Sequence, residues 1–282
     1  MDISMNITAY PGPDRAPAGL AELGRAADDH GLHTIWATDH LIQADPTANP
    51  TDAMLEAYSV LSFLAGVTRR VRLGAMVSPV TFRAPALLVK IVTTLDVLSA
   101  GRAWLGLGAG YQQEEAAAMG LPLPPTGERF AYLEDTVRLA AQMWRGDTAP
   151  FDGLRTHLRR PLCYPPPVSR PRPPILIGGT GEQRTLRLVA QYADACNLFD
   201  IPDGGATIRR KLDVLRRHCE TAGRDYHEIS KTVSTALADG ESAEGFAARC
   251  AQLREYGVDH VVVIARGRPF TPRDVELVAA GR

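Results

Sequence analysis

The chain has 282 residues, 45% of them hydrophobic, and a net charge of −1. A chain of that length can form one large α/β domain or two small ones, and it carries enough apolar material for a sizeable core. So even a charge balance excludes a surface built for nucleic acid or an anionic membrane, and no apolar run reaches the length of a membrane span.

Ile3–Thr8 alternates as a first strand, and Tyr10–Pro17 is a Pro- and Gly-bearing loop. Leu20, Leu23, Ala27 and His30 mark a helix ending at Gly31. Thr34–Thr38 is the second strand, with Asp39 and His40 directly at its end. A helix over Leu55–Val67 leads to a third strand, Val71–Val77. Pro85 opens the next helix, where its missing N–H does little harm; Leu88, Ile91, Val92 and Leu95 line it, and Gly101 closes it. Ala103–Leu107 is the fourth strand, followed by Gly108, Gly110 and Tyr111. Phe130, Leu133, Val137, Ala140 and Trp144 share one helical face that stops at Gly146. From there to Pro174 the chain is Pro-rich and aperiodic, an excursion over the surface, because a strand follows at once.

That strand is Ile175–Ile177. Gly178, Gly179 and Gly181 turn the chain, with Thr180 between them, and Leu186, Val189, Ala190 and Ala193 then mark a helix from Glu182. Thr180 and Gln183 have capping-box spacing and are expected to fix its start. A glycine turn running into a helix start offers free N–H groups to a phosphate, and Arg184 in the first turn suits an anionic ligand. The same turn occurs in many α/β proteins, and this one is neither a Walker loop nor a GxGxxG fingerprint. Ala195–Phe199, Ile229–Ala236 and His260–Ile264 are the last three strands. Between them lie helices at Lys211–Ala222 and Phe246–Tyr256, and a short helix starts at Pro272. Eight strands alternating with helices give the order of a (β/α)8 barrel, with a doubly wound sheet as the alternative. No shift in composition divides two domains.

In such a barrel the active site gathers at the C-terminal strand ends. Asp39 and His40, Met76–Pro79, Gly108–Tyr111 and Gly178–Gly181 all fall there. His40 is a candidate acid/base or ring hydrogen-bond donor, with Asp39 placed to fix its tautomer; the alternative is a loop histidine bonded to a carbonyl. Tyr111 can donate its hydroxyl or simply pack. Glu114 and Glu115 suit the start of a helix, and Glu114 is also a candidate for proton transfer. The other histidines lack metal-ligand spacing. Cys163, Cys196, Cys219 and Cys250 are scattered with no CxxC pair; reduced cytoplasmic thiols are expected, without a metal site, and no signal-peptide core opens the chain.

IWATDH (35–40), LGAMVSPVTFRAPALLVK (73–90), TTLDVLSAGRAWLGLGAGY (93–111), GERFAYLEDTVRLAAQMW (127–144) and PPILIGGTGEQRTLRLVAQYADACN (173–197) together resemble the bacterial luciferase-like monooxygenase superfamily, in particular its branch using the deazaflavin coenzyme F420. The resemblance implies a TIM barrel with an inserted segment at about 146–174 and a (deaza)flavin across the strand ends. It puts His40 near the reactive ring carbon, preceded by Asp39. Met76–Val77 falls on a bulge that in relatives holds a non-prolyl cis peptide behind the ring, with Ser78 and Pro79 beside it. Gly178, Gly179, Thr180 and Gly181 fall on the loop holding the cofactor phosphate, with Arg184 following, and Gly108 and Gly110 on the same rim. The family's sugar-phosphate dehydrogenases carry Glu where this chain has Tyr111 and Trp where it has Ala44, so their substrate and catalytic assignments do not transfer. His40, Tyr111 and Glu114 remain the candidates for the proton step.

The implied function is hydride transfer between F420 and a small organic substrate. The alternatives are an FMN-dependent monooxygenase of the same fold and a non-catalytic flavin-binding barrel. The resemblance further implies a homodimer paired through parts of Leu55–Val67 and Ala84–Leu98; a cytoplasmic location and the lack of nucleic-acid or membrane partners are expected from the cysteines, the charge balance and the absence of a spanning run.

Overall fold

The computed structural model describes residues 1–45 and 47–282. The barrel strands are β1 (Asp2–Ile7), β2 (Thr34–Ala37), β3 (Arg72–Ala75), β4 (Ala103–Gly108), β5 (Ile175–Gly178), β6 (Ala195–Phe199), β7 (Ser230–Ala236) and β8 (His260–Ile264). Each pairs in parallel with the next, and β8 returns to pair with β1, with Asp2 opposite His260 and Asn6 opposite Ile264. That closing pair makes the sheet a (β/α)8 barrel and removes the doubly wound alternative.

Both faces of the strands are buried, so the apolar runs divide by period 2. Trp36, Met76, Trp104, Leu176, Ala195 and Val262 form one cluster, while Ile175, Ile177, Val261 and Val263 belong to the larger core. On each of β5 and β8 alternate residues thus fall into different clusters, the smaller filling the barrel and the larger lying under the helices.

Around the barrel run α1 (Ala16–Asp29), α2 (Ala57–Val67), α3 (Pro85–Leu98), α4 (Gln113–Ala118), α5 (Thr126–Trp144), α6 (Thr185–Tyr192), α7 (Ala206–Ala222), α8 (Ala243–Glu255) and α9 (Pro272–Ala279). Among the described residues no helix is long and apolar enough to cross a membrane. The predicted elements recur in order, with three informative differences. Helix α2 starts at Ala57 rather than Leu55, because the Glu56 carboxylate caps it, accepting from the N–H groups of Tyr58 (3.2 Å) and Ser59 (2.7 Å). The third strand does not run through Val77. It breaks after Ala75 at a cis Met76–Val77 bond and resumes as Ser78–Pro79, which pairs with Leu107–Gly108 of β4.

The third difference is at α6. The Thr180–Gln183 capping box does not form; the helix begins at Thr185, after Arg184 at the N-cap, and no side chain caps it. Lys211 from α7 donates to the Thr180 carbonyl at 2.6 Å, which ties that residue into the loop.

The Pro-rich excursion is less irregular than its sequence. Phe151–Asp152 and His157–Leu158 form a small antiparallel hairpin. Asp135 on α5, fully buried, accepts from the N–H groups of Leu154, Arg155 and Thr156 at 2.7–3.0 Å. Asp96 on α3 does the same for Val168 and Ser169. Two buried carboxylates on core helices therefore fasten the segment, satisfying backbone donors that no sheet takes up.

Candidate active site

A cavity of about 700 Å³ opens at the C-terminal ends of the strands. Its lining includes His40, Met76, Val77, Gly108, Gly110, Tyr111, Gly178, Gly179 and Thr180, all on segments picked out in the sequence. Asp39 and Ser78 lie buried behind it. Gly181, Arg184 and Glu114 are exposed and outside the lining.

The Met76–Val77 bulge explains two of the glycines. A β-carbon on Gly108 would stand 2.7 Å from Val77 Cγ2, and one on Gly178 would stand 2.9 Å from Val77 Cγ1. The ends of β4 and β5 are thus bare where the Val77 side chain enters the cavity wall. Gly179 has a different reason: its φ of +126° is closed to ordinary side chains. From there the chain passes Thr180 and Gly181 to α6, and Thr185 in the first turn also lines the cavity.

The acidic pairing differs from the sequence reading. Asp39 does not orient His40. Successive residues leaving β2 point opposite ways, and Asp39 turns to Arg83, which grips it with two bonds of 2.6 and 3.0 Å. Ser78 Oγ donates to the same carboxylate at 2.6 Å, and Tyr58 and Ser78 share a hydroxyl pair at 2.8 Å. Arg83 also reaches Glu56 at 2.6 Å. Burial would lower the Arg83 pKa, but the hydrogen bonds and charge of Asp39 outweigh it and raise it.

His40 turns instead to Glu115, the neighbour of the predicted Glu114. Its Nδ1 lies 2.7 Å from Glu115 Oε2, whose side chain is fully buried. The Leu41 N–H donates to the other oxygen. Burial would raise the Glu115 pKa, but the bonds from His40 and Leu41 overcome it and hold the group below the ordinary carboxylate value. A carboxylate only accepts, so Nδ1 carries the proton and donates it. That leaves Nε2 as the ring nitrogen without this partner in a side chain that lines the cavity. Tyr111, 72% exposed, stands edge-on to His40 with ring centroids 6.2 Å apart.

Several lining residues were not singled out as site residues in the sequence. Thr126, Arg129 and Phe130 come from the start of α5, Phe199 from the end of β6 and Arg266 from the loop after β8. Arg129 is fixed by the Gly110 carbonyl and by Thr126 Oγ1. Arg184 stacks over Phe130 at 5.6 Å, outside the cavity. Periodicity puts Phe130 on the core face of its helix, and near the start of α5 that face already reaches the rim.

Fold and site together define a class: a (β/α)8 barrel whose cavity lies between a glycine loop feeding a helix and a non-prolyl cis bulge. Residues 3–275 match the luciferase-like monooxygenase family, and the chain belongs to it. It is 32% identical over 235 residues to an F420-dependent glucose-6-phosphate dehydrogenase of Kineococcus radiotolerans, a match covering 80% of this chain and 65% of that protein. The chain therefore spans less than two thirds of that relative. An uncharacterised protein of Mycobacterium tuberculosis is 29% identical over 224 residues, covering 73% of this chain and 75% of its own. Among solved structures, an F420-dependent secondary alcohol dehydrogenase in complex with an F420-acetone adduct superposes with a TM-score of 0.82 at 16% identity, covering 100% of this chain and 99% of its own. The F420-dependent tetrahydromethanopterin reductase of Methanopyrus kandleri gives 0.80 at 17%, covering 99% and 98%. At these identities the superpositions establish the shared fold.

Proposed function

We propose that this chain is an F420-dependent oxidoreductase, working as one barrel domain, that transfers a hydride between the deazaflavin and a small organic substrate. The observation that carries the reading is the placement, around one cavity, of a glycine loop, the Val77 bulge and a histidine locked by a buried carboxylate. The names of the curated relatives support F420 over FMN. The residues fit the coenzyme. A cavity of about 700 Å³ is in the range of small-molecule sites. Gly179, Thr180 and Thr185 would hold a phosphate at the approach to α6, and Arg129 and Arg266 put positive charge on the same rim. Met76 and Val77 would back the ring.

When bound, the deazaflavin supplies the carbon that accepts or gives the hydride. The chain supplies the proton step. With Nδ1–H committed to Glu115, Nε2 of His40 is the base that takes a proton from a substrate hydroxyl on oxidation. In the reverse direction the protonated ring returns it to a carbonyl oxygen, and Glu115 stabilises that imidazolium. Tyr111 offers a hydroxyl on the same side. Met76, Val77, Phe130 and Phe199 make the walls apolar and displace water around that transfer.

The reading includes a cytoplasmic homodimer. Four buried, unpaired cysteines support a reducing compartment. Phe63 on α2 and Leu87 and Leu98 on α3 are 39%, 54% and 60% exposed, apolar surface that pairing would cover. Light scattering should give twice the 30.5 kDa chain mass, and a monomer at micromolar concentration would overturn this part.

The coenzyme is tested by titrating the purified protein into F420 and into FMN and following coenzyme fluorescence. Saturable quenching of F420 alone is expected. Quenching of FMN alone would favour the monooxygenase, and quenching of neither would overturn the reading.

A further inference from the structure

Asp39, fully buried, sits in a network that the proton step does not use. The network joins four segments: the end of β2 (Asp39), the strand resuming after the bulge (Ser78), the start of α2 (Glu56 and Tyr58) and the chain entering α3 (Arg83). Val77 lies between two fastenings to β2. On one side the Met76 N–H donates to the Ala37 carbonyl at 3.0 Å, and on the other Ser78 Oγ donates to Asp39 at 2.6 Å. Arg83 is outside the cavity lining, while Val77 is in it.

Resting on the F420 reading, we propose that Arg83 is a positioning residue. By holding the Asp39 carboxylate in place it fixes Ser78, and through Ser78 it sets Val77 in the wall where the coenzyme ring would lie. The guanidinium does this with two parallel bonds to one carboxylate, a geometry lysine cannot reproduce. Removing one partner of a buried pair strands the other's charge, whereas removing both is far less disruptive. Arg83→Met and Asp39→Asn should therefore interact strongly when combined.

Two measurements test the inference. The first is peptide-resolved hydrogen exchange on ligand-free protein, which needs no coenzyme. Arg83→Met should accelerate exchange in the peptide covering 74–83 and leave β6 to β8 at the wild-type rate. The second is the F420 dissociation constant of folded protein, measured well below each variant's melting temperature. Arg83→Met should weaken F420 by about tenfold or more, and Arg83→Met/Asp39→Asn by less than the product of the single effects. Ser78→Ala keeps the ion pair but severs its link to the bulge, so it should weaken F420; because it also leaves the buried Tyr58 hydroxyl without its partner, it should lower the melting temperature, though less than Arg83→Met does. Arg83→Lys should fall between wild type and Arg83→Met.

Unchanged exchange over 74–83 in Arg83→Met would overturn the inference. So would wild-type F420 affinity in both Arg83→Met and Ser78→Ala, since a purely stabilising network would lower the melting temperature alone. If Arg83→Met does not fold, Arg83→Lys and Ser78→Ala carry both measurements. If wild-type protein binds no F420, the coenzyme reading fails, and the exchange result still decides whether Arg83 holds the bulge.

Discussion

Adding one methyl group at Gly108 tests whether the cavity wall is built as described. The β-carbon would lie 2.7 Å from Val77 Cγ2, while its other neighbours, Val77 Cβ and the Gly178 carbonyl, are 3.8 and 3.9 Å away. Ordinary contacts begin near 3.4 Å, so one side chain takes the whole collision. On the opposite flank of Val77 stands Gly178, where even a β-carbon would come within 2.9 Å of Cγ1, so the side chain can shift that way only as far as a bare glycine allows. Overpacking of this kind costs about 1–3 kcal/mol, a fall in melting temperature of roughly 2–10 °C for a chain of this size. Gly108→Ala should show that loss together with weaker F420 binding. Adding Val77→Ala removes the clashing methyl groups and should restore most of the stability. The assay is thermal or urea unfolding of the two single variants and the double. A neutral Gly108→Ala, or a double variant no better than the single, would refute the packing argument.

His40→Ala should lower turnover by about 10²–10⁴-fold, the usual contribution of a placed acid/base group, with a smaller effect on F420 affinity; steady-state rates with a competent substrate check it. Glu115→Gln should lower kcat more than it changes F420 binding, because the neutral side chain stabilises the His40 imidazolium less. Glu115 is held below its ordinary 4.5 in the folded chain, so its stabilisation is complete above that value and is lost as pH falls through the folded value. The acid limb of the urea midpoint should therefore be shallower in Glu115→Gln. Gly179→Val places a side chain at φ +126° beside the phosphate loop. It should weaken F420 by about 10- to 150-fold through loss of an N–H contact to a charged oxygen, with the circular dichroism of the barrel retained.

The barrel was legible because each strand is an apolar run set between helices of clear 3.6 period, and those patterns are local. What escaped depends on partners far along the chain. The start of α6 is shaped in part by Lys211, which takes the Thr180 carbonyl from α7. Arg83 finds Asp39 and Glu56 only once β2, α2 and the bulge have come together. Glu115 was missed in favour of Glu114 because α4 has six residues, too few for periodicity to tell which of two adjacent acids points inward. The exchange of Asp39 for Glu115 as the partner of His40 did leave a signal. Neighbours at a strand end point to opposite sides, so a carboxylate directly before the histidine was poorly placed to serve it.

The most direct measurement is a crystal structure of the chain with oxidised F420. The expected density has a phosphate against Gly179 and Thr185, fused rings beside Val77, and His40 still bonded to Glu115 with its other nitrogen toward the ring. Density for the coenzyme outside this cavity, or a cavity that takes FMN but stays empty in saturating F420, would contradict the central claim.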